Sequence, residues 1–366
     1  MHTPLLRCLL VASLAVVLLH LPPVADAAAS ARSALRTWAR AHVAEWAPPH
    51  AGLDATLLAR IGDAAARYAA EGGRMALAGY PLRGVVEFKD EAQTNPVTEL
   101  DRAIERALCA AIASDFPDHS VLGEEGQPSG PAESEIVWAV DPLDGTRNFV
   151  NGLPLFAVSV GALWRGRPVA GALFCTVGLR PEPAILHARL GGGAWLSETP
   201  LETPLRAVAP ALPMSARLVG VPAPLWRRLR PSDDLRYADT RSLGSVALEL
   251  ALVASGALHA AIFGRPKVWD LAAGLLLVQE AGGAVLWRPP HMRRWRAFEG
   301  FGDGRRPATR PDELRKWACP VIAGSAPAVA AMAARLPGPE LWQRLWTALA
   351  RRVRRGGRPP RDRSAR

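Results

Sequence analysis

The chain has 366 residues, 49% hydrophobic and 21% charged, a composition that excludes a disordered or fibrous protein and supplies a sizeable core. Its formal charge of +10 is unevenly placed: Arg351 to Arg366 carries a net +7 and Arg288 to Lys316 a net +5, so the remainder is slightly acidic. The basic character therefore marks a late loop and a tail able to meet a polyanion, and says little about a substrate.

In chain order, Met1 to Ala27 reads as a secretory signal. His2 and Arg7 come first, an apolar run from Cys8 to Leu21 follows, and Ala25-Asp26-Ala27 supplies a cleavage site. The run is shorter than the roughly 20 residues that span a bilayer. This reading implies a periplasmic or otherwise exported protein; a true start further downstream implies a cytoplasmic one. Residues 28–52 read as an Ala/Arg/Pro-rich linker. Leu57, Ile61, Ala65, Tyr68 and Met75 predict a long helix over 53–79, with Gly72-Gly73 as a point for a kink. A strand is predicted over 85–88. Leu100, Ile104, Leu108 and Ile112 mark a second helix, with Thr98 and Asp101 as its capping box.

Short strands are predicted at 120–122 and 136–140. Strands at 156–164 and 168–176 flank Arg165-Gly166-Arg167, a hairpin signal. A turn and strand follow within 186–196. Then a Pro-rich passage over 200–213 separates two lobes, at about 53–200 and 214–337. The second lobe alternates: strand 218–221, helix 245–254, strand 258–263, helix 269–281, strands 284–287 and 321–323, helix 326–336. This alternation predicts an α/β fold. A basic insertion at about 288–317 carries Trp287, Trp295, Phe298, Phe301 and Trp317 at or beside it and reads as a lid, a partner surface, a packed segment or a disordered loop. Leu341, Leu345, Leu349 and Val353 predict an amphipathic helix before the Arg-rich tail, within 338–366. The four cysteines, Cys8, Cys109, Cys175 and Cys319, fall in no CxxC or metal-finger spacing; Cys109 and Cys175, in apolar stretches, are expected to be buried free thiols.

The chemistry concentrates in "VWAVDPLDGTRNF", Val137 to Phe149. Asp141 follows an apolar strand, and Pro142 discourages its continuation. The turn brings Asp144 near Asp141 and frees the Leu143 carbonyl. Two carboxylates and a carbonyl make an all-oxygen site suited to a hard cation such as Mg²⁺. Gly145 and Thr146 then present backbone N–H groups, an anion site if a helix starts there. A cation beside a phosphate is an arrangement for phosphoryl transfer. Other acids point the same way. Glu124 and Glu125 follow a short strand, and Asp270 opens a helix, where it can also serve as an N-cap.

"NPVTELD", "GEE", "DPLDGT" and "WDLAAG", in this order, with "RSLGSVALELALVASG" from Arg241 to Gly256, resemble the signature set of the inositol monophosphatase superfamily. The resemblance covers about Leu53 to Leu336. It implies a layered αβαβα sandwich of the sugar-phosphatase type, and a Mg²⁺-dependent, lithium-sensitive phosphatase acting on a small phosphorylated substrate. It further implies that Glu124, Asp141 and the Leu143 carbonyl hold one Mg²⁺, that Asp141, Asp144 and Asp270 hold a second, and that a third binds near Glu124. By the same resemblance Gly145 and Thr146 bind phosphate, the Thr146 hydroxyl with Asp101 or Glu124 orients the attacking water, and homodimers are common.

The sequence departs from the family at the substrate. Inositol-specific members place an acid a few residues before the WD motif; here that position falls on Phe263, and no acid lies between Leu258 and Trp269. An apolar ring accepts no hydroxyl hydrogen bond. Arg265 and Lys267 are either surface charges or readers of a second phosphate. Inositol-1(or 4)-monophosphate or a related polyol phosphate is the substrate the resemblance implies, with a 3′(2′),5′-bisphosphate nucleotidase as the rival enzyme. A rival of another class is a protein that binds nucleic acid or an acidic surface through its Arg-rich tail.

Overall fold

The computed structural model describes residues 52–80, 86–88, 96–177, 183–197, 202–207, 217–222 and 239–336. The signal segment 1–27, nearly all of the linker 28–52, the amphipathic helix and tail within 338–366 and part of the Pro-rich passage 200–213 lie outside the described residues.

The first elements are α1 (Ala55–Gly79), the short antiparallel pair β1 (Val86–Phe88) and β2 (Pro96–Thr98), and α2 (Glu99–Asp115). Strands β3 (Ser120–Gly123) and β4 (Ile136–Asp144), helix α3 (Thr146–Val150), and strands β5 (Ala157–Trp164), β6 (Arg167–Cys175), β7 (Ala184–Arg189), β8 (Gly193–Ser197) and β9 (Glu202–Pro204) follow. These strands form one sheet in the order β3-β4-β5-β6-β7-β8-β9, antiparallel except for the parallel β3–β4 pair. The hairpin at Arg165-Gly166 is present, with both residues at positive φ as a two-residue turn requires.

A second sheet takes β10 (Leu218–Gly220), β11 (Asp239–Arg241), β12 (Ala260–Phe263), β13 (Ala284–Trp287), β14 (Arg296–Ala297) and β15 (Val321–Gly324), in the order β11-β10-β12-β15-β13-β14. Helices α4 (Val246–Ala254), α5 (Val268–Glu280), α6 (Pro311–Lys316) and α7 (Ala326–Arg335) complete the described elements. None of the helices among the described residues is long and apolar enough to cross a membrane.

Side-chain alternation explains the layering. Successive strand residues face opposite sides of a sheet, so Val158 and Gly161 of β5 face apart, as do Gly171 and Phe174 of β6. Helix α1 packs on the Val158/Phe174 face, where a Cβ on Gly73 would lie 2.2 Å from the Phe174 ring. Helix α5 packs on the other face, its Ala272 and Ala273 against Gly161 and Gly171, which are cross-strand partners. The glycine pair at 72–73 therefore serves close helix–sheet approach; α1 runs unbroken through it from Ala55 to Gly79 rather than ending or turning there. In the second sheet the same alternation divides β12. Ala261 and Phe263 join the main core, while Ala260 and Ile262 join a separate cluster with Val329 and Met332 of α7. The layers run α1/α2, first sheet, α4/α5, second sheet, α7, the αβαβα sandwich expected.

The basic insertion is ordered, which removes the disordered-loop reading. Its aromatic rings form a chain, Phe298 to Phe301 at 5.0 Å and Phe301 to Trp317 at 4.9 Å between centroids, closed by Trp287 at 5.9 Å from Trp317. The Trp317 indole donates to the Gly302 carbonyl at 3.0 Å, and Phe301 N–H donates to the Gly166 carbonyl at 2.8 Å. The aromatic residues supply the apolar area that a charged stretch otherwise lacks. Among the described cysteines, Cys175 and Cys319 are buried, Cys109 is partly buried, and all three are free.

Candidate active site

Asp141 does not end its strand. β4 pairs Asp141 with Ser159 and resumes pairing at Asp144 with Ala157, so Pro142 and Leu143 on one strand oppose Val158 alone on the other. This is a β-bulge, one of the few places within a sheet that tolerates a proline without a ladder N–H. The bulge re-aims the chain and keeps both aspartates at the sheet's end. Gly145 then needs a φ of +99°, and a Cβ there would meet the Leu155 carbonyl at 2.8 Å, so a glycine is required. Gly145 is the N-cap of the short helix α3, which puts the N–H groups of Gly145 and Thr146 beside the bulge.

The parallel neighbour β3 delivers Glu124. Its backbone N–H donates to the Val140 carbonyl at 3.1 Å, extending the β3–β4 ladder by one step. From the opposite face, α5 delivers Asp270. The Ser159 hydroxyl donates to the Trp269 carbonyl at 2.9 Å, fixing the start of α5 beside the strand position paired with Asp141. Asp270 is the third residue of α5 and not its N-cap, which is Lys267; its carboxylate accepts the Lys267 N–H at 2.8 Å. One ligand oxygen each from Glu124, Asp141 and Asp270 lies within 4.8 Å of the others.

Asp144 stands at the edge of this trio and not within it. Its Oδ2 accepts the Ser245 hydroxyl at 2.7 Å and the Ala247 N–H, so one carboxylate oxygen caps helix α4. Burial is the main reason its carboxyl is pushed up to about 7, and those two hydrogen bonds pull it back. Asp141 and Asp270 are also raised, first by burial and then by neighbouring acids: Glu124, Asp144 and Asp270 for Asp141, Asp144 and Glu124 for Asp270. Crowded, buried carboxylates oppose one another's ionisation, and a hard cation relieves that opposition with the oxygen donors it prefers. The donor set therefore fits Mg²⁺.

Thr146 and Asp101 meet. The Thr146 hydroxyl lies 3.0 Å from Asp101 Oδ1 and 2.9 Å from the Leu143 carbonyl. Asp101 is buried, and its Oδ2 accepts the Thr98 N–H at 2.9 Å, while the Thr98 hydroxyl accepts the Asp101 N–H at 3.3 Å. The capping box and the contact with Thr146 use different oxygens of one carboxylate, so the two contacts coexist. Asp101, one of the two partners foreseen for Thr146, is in hydrogen-bond contact with it.

Of the two charges weighed as substrate readers, Lys267 lies beside the trio, where its positive charge favours the ionised form of Asp270. The Phe263 ring is buried in the main core, Arg265 is exposed, and the Lys267 ammonium reaches the Arg315 carbonyl at 3.5 Å. Glu125 contributes its N–H, which donates to Glu105 at 2.8 Å. Glu105 itself escaped notice in the sequence. It is a buried acid one position from the apolar face of α2, and it holds the Glu125 and Gly126 N–H groups behind Glu124. An acid directly beside Ile104 of the apolar face was the available signal. Ser245 and Arg315 were likewise not singled out.

The family model for inositol monophosphatases matches residues 58–297. An inositol-1-monophosphatase of Bacillus subtilis (strain 168) is 38% identical over 208 residues, 53% of this chain and 74% of that protein. A Nus factor SuhB of Pasteurella multocida is 33% identical over 228 residues, 60% of this chain and 82% of that one. Among solved structures, Mycobacterium tuberculosis SuhB superimposes with a TM-score of 0.54 and 27% identity, over 80% of this chain and 97% of its own. The match spans both sheets as far as β14 and takes in every acid described above. The chain belongs to the inositol monophosphatase family and is a phosphoric monoester hydrolase.

Proposed function

We propose that this protein hydrolyses inositol-1(or 4)-monophosphate or a closely related polyol phosphate in a Mg²⁺-dependent reaction. The observation that carries the reading is the convergence of Glu124, Asp141 and Asp270 from two strand ends and a helix. These three, with the Leu143 carbonyl and the Asp144 oxygen not occupied by α4, would hold two or three Mg²⁺. Bound there, Mg²⁺ supplies charge neutralisation for a phosphate dianion and its leaving oxygen.

The chain's own residues set the geometry of attack. Asp101 Oδ1 accepts a hydrogen bond from the Thr146 hydroxyl, which leaves the Thr146 oxygen free to accept one from a water. Burial raises the Asp101 carboxyl, while its bonds from Thr98 and Thr146 favour the ionised form that this acceptance requires. The N–H groups of Gly145 and Thr146 offer donors to phosphate oxygens. Lithium should lower the rate, as in the family the chain resembles.

A panel of inositol 1-phosphate, fructose 1,6-bisphosphate, histidinol phosphate and 3′-phosphoadenosine 5′-phosphate, assayed for phosphate release with Mg²⁺, tests the substrate. The reading requires inositol 1-phosphate or another polyol phosphate to have the highest kcat/KM. Preference for the adenosine bisphosphate would instead establish the nucleotidase.

A second reading follows from the likeness to a Nus factor and from the charge of Arg351 to Arg366: the tail contacts a polyanion. Deleting 351–366 should then weaken nucleic-acid binding and leave phosphate release unchanged. Met1 to Ala27 is proposed as a signal for export; a mature N-terminus at Ala28 would support that.

A further inference from the structure

The basic insertion does more than cover an edge. Its helix α6 directs Arg315 back to the acidic site. One guanidinium nitrogen, Nη2, donates to the carbonyl of Gly123 at 2.7 Å and also to the carbonyl of Gly126. These two carbonyls bracket Glu124 and Glu125. The guanidinium also lies over the Trp269 ring, 5.4 Å from its centroid, immediately before Asp270. The backbone carbonyl of Arg315 receives the Lys267 ammonium at the N-cap of α5. One residue thus contacts the segment that carries Glu124 and the segment that carries Asp270.

The same loop is held from the other side. Glu105 accepts the N–H groups of Glu125 and Gly126, so the loop's donors go to an acid on α2 and its outward carbonyls to Arg315. The Glu105 carboxylate packs directly on Gly123, where a Cβ would lie 2.3 Å from its carboxyl carbon and push it aside. The backbone of residues 123–126 is therefore clamped between an anion and a cation, each bonding the backbone group of opposite polarity. Two charge-assisted hydrogen bonds to carbonyls, with a ring stacked beneath, leave the guanidinium little freedom.

We propose that Arg315 is a positioning residue that fixes Glu124 relative to Asp270 and so sets the affinity of the site for divalent cations. This rests on the metal reading above. Two influences of Arg315 on a cation have opposite signs. As a nearby positive charge it repels a divalent ion, so its removal would tighten binding. As a clamp it preorganises two carboxylates, so its removal weakens binding; losses of partners behind metal ligands typically cost about 10-fold to 100-fold in affinity. The direction of the change separates the two roles.

The test is Mn²⁺ binding to the substrate-free, full-length protein, read from the free-ion electron paramagnetic resonance signal. Wild type, Arg315→Ala, Arg315→Lys and Arg305→Ala would be compared. Arg305 is an exposed charge of the same insertion and serves as the control. Arg315→Ala should bind Mn²⁺ about 10-fold more weakly. Arg315→Lys keeps the charge but loses the planar group that lies over Trp269, and should fall between the two. Arg305→Ala should match wild type. Unchanged or tighter binding by folded Arg315→Ala overturns the proposal; if that variant does not fold, Arg315→Lys decides by the same criterion. A wild-type protein that binds no Mn²⁺ would overturn the metal reading itself, an outcome distinct from failure of the clamp.

Discussion

Asp101 joins a helix cap to the hydroxyl proposed to orient the attacking water. Its Oδ2 closes the capping box of α2 and its Oδ1 faces the Thr146 hydroxyl. Replacing Thr146 with Val keeps the shape and removes only that hydroxyl. Thr146→Val should lower kcat by about 10²-fold, the scale of a lost proton-transfer partner, while leaving the Mg²⁺ requirement little changed. Steady-state assays across Mg²⁺ concentrations would show it, and wild-type kcat would refute the role. His119 makes a separate prediction. Burial pushes its pKa below the ordinary 6.5, and its Nδ1 accepts the Trp138 indole N–H at 3.0 Å. The unfolded chain takes up a proton at a pH where the folded chain resists it. This contribution to stability is complete above about 6.5 and is lost as the pH falls through the folded value. Urea denaturation at about pH 7.5 and about pH 5 should show His119→Gln losing less stability than wild type over that interval. Equal losses would contradict the assignment.

At the scale of elements, α1 meets the first sheet at two glycines, and the fit there is steric. Gly73→Ala would drive a methyl into the Phe174 ring and should cost about 2 kcal/mol, as overpacking a dense core does. Denaturant unfolding would measure it; a neutral substitution would mean that the helix stands further off than described. The glycines also show what was legible beforehand. Apolar periodicity marked α1 and α2, and apolar runs marked the central strands of both sheets, because burial writes those patterns directly; the short strands β9, β11 and β14 carry too few apolar residues to be marked. Periodicity could not say why Gly72 and Gly73 sit inside a helix, since a glycine reads as a break until the opposing ring is known. In the same way, Pro142 argued for the end of a strand, and only the pairing of Asp144 with Ala157 shows a bulge instead. The acids of the site were legible from three motifs. The cap that Asp144 makes on α4 was not, because it depends on Ser245, about 100 residues away in the chain. Nor was the reach of Arg315, an arginine in an arginine-rich segment where residue type alone carries little signal.

Among the described residues the acidic trio sits where the larger sheet meets the central helix layer. Glu124, Asp141 and Asp144 come from the first sheet and its loops. Asp270 starts a central helix, and Asp144 and Asn148 bond to residues of the second half of the chain, Ser245 and Leu243. Cation binding there should stabilise the entire fold. A ligand at a hundredfold excess over its Kd adds about 2.7 kcal/mol, which raises Tm by on the order of 5 °C for a domain of this size. Thermal melts with and without Mg²⁺ should show this rise, and its absence at millimolar Mg²⁺ would argue that the carboxylates do not gather a cation.

The most direct test of the account is phosphate release at saturating Mg²⁺ by wild type and by Asp141→Asn. The asparagine keeps the acceptor for the Leu143 N–H, now at 3.0 Å from Asp141 Oδ1, and removes the charge at the centre of the cluster. The folded variant should lose turnover by on the order of 10³-fold. A folded Asp141→Asn protein that hydrolyses phosphomonoesters at the wild-type rate would contradict the assignment of this cluster as the catalytic centre.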